Sequence, residues 1–102
     1  MKTKKKRRPT HPGELLWEET LPASRLSQTD LASRLCVSRS TVSDLIHERR
    51  SVNPDLAHRL ARVFVTTPEF WLRLKEAVDI WETLQANRAQ YDRLKPMRNK
   101  AA

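Results

Sequence analysis

Twice in its second half the chain carries the same three-residue helix start, Asn53-Pro54-Asp55 and Thr67-Pro68-Glu69. Each combines a side-chain oxygen that accepts from a free N–H, a proline whose missing N–H costs nothing in a first turn, and an acid at the positive end of the helix dipole. Behind the first start come Leu56, Ala57, Leu60, Ala61, Val63 and Phe64; behind the second, Phe70, Trp71, Leu74, Val78, Trp81 and Leu84 recur at three- and four-residue steps. That is the spacing of a helix with one apolar stripe, about four turns long in the second case. Upstream, Pro12 opens a helix bearing Leu15, Leu16, Thr20 and Leu21, and Pro22 ends it. Ser27 with Asp30 forms a capping box before Leu31, Ala32 and Leu35, and Ser38 caps a helix bearing Val42, Leu45 and Ile46. No stretch alternates apolar and polar residues as a half-buried strand does. The expected fold is all-α: five helices in one domain over residues 11–85, the last fraying past Gln85, with a basic, disordered arm over 1–10 and a basic tail over 86–102.

Composition removes several function classes. Gly13 is the single glycine in 102 residues, so no glycine-rich phosphate loop exists. One cysteine, Cys36, makes neither an internal disulfide nor a CxxC metal knuckle, and His11, His47 and His58 fall on separate elements without paired spacing, so neither metal nor cofactor is expected. Glu18, Glu19 and Asp55 have no partner that would make them acid–base catalysts, which argues against an enzyme and leaves no catalytic residue to name. No apolar run approaches the roughly 18 residues of a membrane span, and the basic start leads into Pro9-Thr10-His11-Pro12 rather than an apolar segment. The expectation is a cytoplasmic protein with no membrane partner.

The net charge of +8 suggests nucleic acid, but its distribution matters more. Lys2, Lys4, Lys5, Lys6, Arg7 and Arg8 carry +6, residues 86–102 carry +4, and the body between them is net −2. Within that body, residues 25–62 are locally basic, with seven arginines against Asp30, Asp44, Glu48 and Asp55. Bulk charge therefore accounts only for non-specific attraction; specific recognition needs placed residues.

Gln28 to His47, QTDLASRLCVSRSTVSDLIH, supplies them. Two short helices meet across a two-residue turn, Ala32 lets their backbones approach, and Leu31, Leu35, Val37, Val42 and Leu45 fill the angle between them: a helix-turn-helix. The second helix offers Ser38, Arg39, Ser40, Ser43, Asp44 and His47 as candidate base contacts in a major groove. Gln28, Thr29, Thr41, Arg49 and Arg50 stand where flanking phosphates would run. Any exposed helix has a polar face, so these positions carry unequal weight. Ser38 serves first as a cap and Asp44 has the ordinary reading of a solvated acid, whereas Arg39 is the best base reader.

Gln28-x-x-Leu31-Ala32-x-x-Leu35-x-Val37-Ser38 resembles the motif of Cro/cI-type (XRE) repressors. His11-Pro12-Gly13-Glu14, Asn53-Pro54-Asp55, Arg59-Leu60-Ala61, Thr67-Pro68-Glu69-Phe70-Trp71-Leu72-x-Leu74 and Val78-Asp79-Ile80-Trp81 narrow the resemblance to HigA-type antitoxins, over about residues 10–85. The resemblance implies a homodimer that binds double-stranded operator DNA, represses its own operon and neutralises a HigB-type, RelE-like mRNA endonuclease toxin. Two positions depart from the pattern: Cys36 and Glu48 stand where glycine is usual, and a positive φ at either would cost on the order of 1 kcal/mol.

A domain this small cannot cover the whole last helix, and two operator half-sites call for a two-fold dimer. Phe70, Trp71 and Leu74 are therefore expected in the core, and Val78, Trp81 and Leu84 at the dimer interface. A basic RNA-binding toxin would match the acidic Glu14, Glu18, Glu19 face or the acidic part of the last helix better than it would match the Lys4–Arg8 arm. The alternatives are a stand-alone phage-type repressor with no toxin, and a helical adaptor whose binding would be insensitive to salt.

Overall fold

The computed structural model describes residues 8–97. Its element order is α1 (Pro12–Leu15), a π-helical turn (Leu16–Thr20), α2 (Leu21–Ser24), α3 (Gln28–Leu35), α4 (Arg39–Ile46), α5 (Pro54–Phe64) and α6 (Pro68–Asp92). All described regular structure is helical. The four caps expected after Pro22 all form: Ser27, Ser38, Asn53 and Thr67 each accept from the backbone N–H three residues on, at 3.0, 3.0, 2.8 and 3.1 Å. Asp30 returns the bond to Ser27 N–H at 3.0 Å and closes the capping box.

The first helix departs from expectation. Pro22 does not end it; helical backbone continues through α2 to Arg25, which turns left-handed at φ 58. A proline inside a helix lacks the N–H for the residue four back and crowds that carbonyl. The chain relieves this by widening just before the proline, where Leu21 N–H reaches back to Leu16 O across a π turn. The last helix also runs past Gln85, to Asp92, with non-helical angles only at Asn87 (φ −125, ψ 18). The tail expected from residue 86 is thus helical over its first turns, and residues 98–102 lie outside the described range, as do residues 1–7 of the expected arm.

Leu16, Leu31, Leu35, Val42, Leu45, Val52, Leu56, Leu60 and Trp71 form one core. α3 packs on α4 and α5, α5 on α6, and α1 on α4 and α6. Trp71 is 1% exposed and donates from Nε1 to Thr66 Oγ1 at 2.7 Å, so its polar edge is satisfied while its rings are buried. Phe70, expected in the core, is 39% exposed and sits edge-on to Trp71 at 5.1 Å, because it occupies the outer side of the first turn of α6. Val78, expected at a dimer interface, is 3% exposed within the single chain and belongs to the chain's own packing.

Candidate nucleic-acid interface

Gly13 explains how α1 meets α4. A Cβ at this position would overlap the carbonyl oxygen of Leu45 and lie 3.1 Å from Ile46 Cα, so α1 rests directly on the backbone at the C-terminal end of α4. His11 caps α1, its Nδ1 accepting from Gly13 N–H at 2.9 Å. Burial holds the His11 imidazole below its ordinary pKa, outweighing the nearby carboxylates of Glu48, Glu82 and Asp79. His11-Pro12-Gly13-Glu14 is in this sense a docking element for the helix that carries the candidate base readers.

The turn between α3 and α4 is also braced from outside the motif. Cys36 adopts φ 58, the left-handed conformation that favours glycine, and its N–H closes onto Ala32 O and Ser33 O. Arg59 of α5, oriented by an ion pair to Asp55 (Nε to Oδ2, 2.9 Å), donates to Leu35 O at 2.8 Å and Cys36 O at 3.4 Å. A cation on the last carbonyls of a helix satisfies unpaired acceptors and matches the negative end of the dipole.

At the other end of α4, Glu48 is left-handed at φ 60. The Arg8 guanidinium forks onto its carboxylate at 2.7 and 3.1 Å, with Glu14 at 3.7 Å and Glu82 at 3.9 Å. Arg8 is therefore docked on the body rather than part of a loose arm. Its bidentate contact holds the Glu48 carboxyl below, and its own pKa above, their ordinary values. No local pattern signals either contact, since Arg8 and Glu48 are 40 residues apart in sequence and Arg59 and Leu35 are 24 apart.

The expected DNA-facing residues divide by what already holds them. Arg39, Ser40 and Thr29 are exposed, and Gln28 is half-buried at the start of α3. Ser38 is exposed but committed to its cap, bonding Thr41 N–H and sharing a hydrogen bond with Thr41 Oγ1 at 2.9 Å. Asp44 and Arg49 engage each other, at 3.1 Å from Nη2 and 3.2 Å from Nε, so each meets DNA only by sharing or releasing the other. His47 donates from Nδ1 to Ser43 O at 2.8 Å, leaving Nε2 as its outward nitrogen, while the Ser43 hydroxyl lies 3.4 Å from the same ring atom. Arg50 is exposed beside Arg49. Trp81 and Leu84 are half-buried on α6, next to Ile80 at 63% exposure. Among the described residues no three His, Cys, Asp or Glu side chains cluster to hold a metal, and no helix is long and apolar enough to cross a membrane.

Comparison with known proteins gives the same architecture. The helix-turn-helix family model matches residues 23–71. An uncharacterized HTH-type transcriptional regulator of Escherichia coli K12, YbaQ, is 45% identical over 82% of this chain and 74% of its own length. Antitoxin HigA-1 of Vibrio cholerae is 38% identical over 92% of this chain and 89% of its own. The solved structure of Pseudomonas aeruginosa antitoxin HigA with the higBA promoter superposes with a TM-score of 0.84 at 37% identity, covering 88% of this chain and 99% of that one. With its cap-defined helices, its helix-turn-helix between Gln28 and His47 and its docked α1 all in place, the chain belongs to the HigA-type antitoxins of the helix-turn-helix family.

Proposed function

We propose that the protein is a non-enzymatic cytoplasmic repressor that binds its own operator as a homodimer and neutralises a HigB-type toxin. The observation that carries the DNA reading is the outer face of α4. Arg39 and Ser40 stand exposed at its start, without an ion pair among the described residues, while the Ser38 cap and α1 hold the two ends of the helix and Arg59 braces the turn that precedes it. A rigid helix presenting a free guanidinium and small hydroxyls suits base edges in a major groove. Gln28 and Thr29 at the N-terminal end of α3, with Thr41, Arg49 and Arg50, supply phosphate contacts on either side. Ser43, Asp44 and His47 are secondary base contacts, and Ser38 reaches DNA only through its cap geometry. Trp81 and Leu84, joined by exposed Ile80, form the dimer contact on α6, which sets the spacing of two recognition helices. The toxin resemblance comes from the HigA relationship, and the acidic Glu14, Glu18 and Glu19 face is its proposed contact.

The deciding experiment is a salt-titrated binding assay on the DNA upstream of the gene. Arg39→Ala lowers operator affinity and relaxes preference at one base step. Arg50→Ala weakens binding to all sequences alike and reduces the salt slope by about one. If neither variant alters operator binding, α4 is not the reading helix.

A further inference from the structure

Beside the helix-turn-helix lies an open groove of about 600 Å³, floored by Leu21, Pro22 and Leu26 and walled by Trp17, Arg25 and Arg39. Gln28 and Thr29, the proposed phosphate contacts, form its rim. Among the described residues no carboxylate lines it. Neither Arg25 nor Arg39 has an ion pair with another described residue, and Trp17, at 55% exposure, makes no hydrogen bond from its indole N–H among them. Trp17 lies in the π turn and Arg25 is the left-handed residue that ends α2. Both departures from an ordinary helix thus bring side chains to the same groove.

From this placement we infer that the groove is the track of the operator's sugar–phosphate backbone: Arg25 pairs one phosphate, and Trp17 covers the adjoining deoxyribose with its ring and offers Nε1–H to a phosphate oxygen. The inference rests on the DNA reading above and extends the footprint from the helix-turn-helix to the segment before it. The occupant is set by charge complementarity and by continuity. An unpaired Arg25 with no acid among the lining residues calls for an anion, the apolar Leu21, Pro22 and Leu26 suit a sugar face, and the strand that meets Gln28, Thr29 and the base-reading Arg39 passes directly into the groove. The contact reads no base, so it adds affinity and register rather than sequence preference.

The test uses the full chain, with Arg25→Gln, Arg25→Lys and Trp17→Ala. Each is titrated at several salt concentrations on operator and on unrelated duplex DNA, and mapped on the operator by hydroxyl-radical footprinting. Arg25→Gln is expected to weaken binding to both DNAs by the same factor and to lower the slope of log affinity against log salt by about 0.9, while Arg25→Lys keeps the slope. Trp17→Ala is expected to lose protection at one sugar per half-site while the major-groove pattern over α4 remains. If wild-type protein binds its operator but Arg25→Gln leaves slope and footprint unchanged, the groove is not a DNA track. In that case, affinity for a folded acidic protein that is lost with Arg25→Gln would assign the groove to a protein partner. If the wild type shows no operator preference at all, the DNA reading fails and this inference fails with it.

Discussion

Replacing Gly13 with alanine tests whether α1 sets the position of the recognition helix. In most helical positions alanine is favoured over glycine by about 1 kcal/mol, because it restricts the unfolded chain and shields the backbone. Here the added methyl would overlap the Leu45 carbonyl oxygen and lie 2.9 Å from its carbon, where apolar carbon contacts settle at about 3.5–4.0 Å. The obstacle is backbone, so no rotamer change relieves it; α1 and the end of α4 must part by roughly half an ångström or more. Overpacking of a filled interior costs typically about 1–3 kcal/mol. The seam loosened in this case also covers Leu16 at 0% exposure and Leu45 at 1%. Because the obstacle is backbone, the cost lies in the upper part of that range, about 2–3 kcal/mol, and the propensity gain of about 1 kcal/mol set against it leaves a net loss of about 1–2 kcal/mol. For a domain of this size that lowers the melting temperature by roughly 5–15 °C. Thermal unfolding followed by circular dichroism, at one fixed protein concentration, measures it. Ala77→Gly on the exposed side of α6 supplies the control, expected to destabilise by about 1 kcal/mol through propensity alone. Operator affinity should fall with Gly13→Ala. A Gly13→Ala variant that melts at or above the wild-type temperature would refute the argument, since propensity would then have outweighed the contact.

Val65→Gly is expected to do the opposite. Val65 ends α5 at φ 54 with 88% of its surface exposed, so glycine relieves about 1–2 kcal/mol of left-handed strain, gives back part of it as unfolded-chain entropy, and should raise the melting temperature by a few degrees. Arg59→Ala leaves the Leu35 and Cys36 carbonyls without their cation and should cost about 1–2 kcal/mol in chemical denaturation, with faster amide exchange in the turn after α3. His11 accepts as a neutral ring and its folded pKa is lowered, so its contribution is complete above about pH 6.5 and is lost as pH falls through the folded value; His11→Asn, which keeps a cap acceptor, should flatten stability between pH 7 and 5. Glu48 and Asp30, also lowered, withdraw their contributions only at more acid pH, below about pH 4.5, so the two windows separate in a pH series of melts.

What could be read from the sequence was set by interactions within three or four residues. The Ser27, Ser38, Asn53 and Thr67 caps, the apolar stripes of α3 to α6 and the twenty-residue helix-turn-helix all depend on such local bonds and spacings, and all appear in the structure. Cys36 and Glu48, which stand where the motif usually has glycine, both adopt positive φ. Local reasoning failed at three places in the first and last helices. Pro22 is accommodated by a π turn instead of ending its helix, Phe70 falls outside the packed side of α6, and Val78 is claimed by the chain's own interior.

Only the tertiary structure brought together the residues that hold the helix-turn-helix in place: Gly13 against Leu45, Arg8 against Glu48, and Arg59 against Leu35. Each pair is separated by more than twenty residues, and hydrogen bonds and close backbone contacts over such distances exist only once the core has fixed the helices relative to one another. The groove lined by Trp17, Arg25 and Arg39 likewise draws its side chains from three different elements. The sequence by itself determined where α3 to α6 begin and which segment forms the helix-turn-helix, because caps and periodicity are local chemistry. The fold decided how α4 is held and what surface continues beside it, because contacts, hydrogen bonds and ion pairs between distant residues form only once packing has brought their elements together.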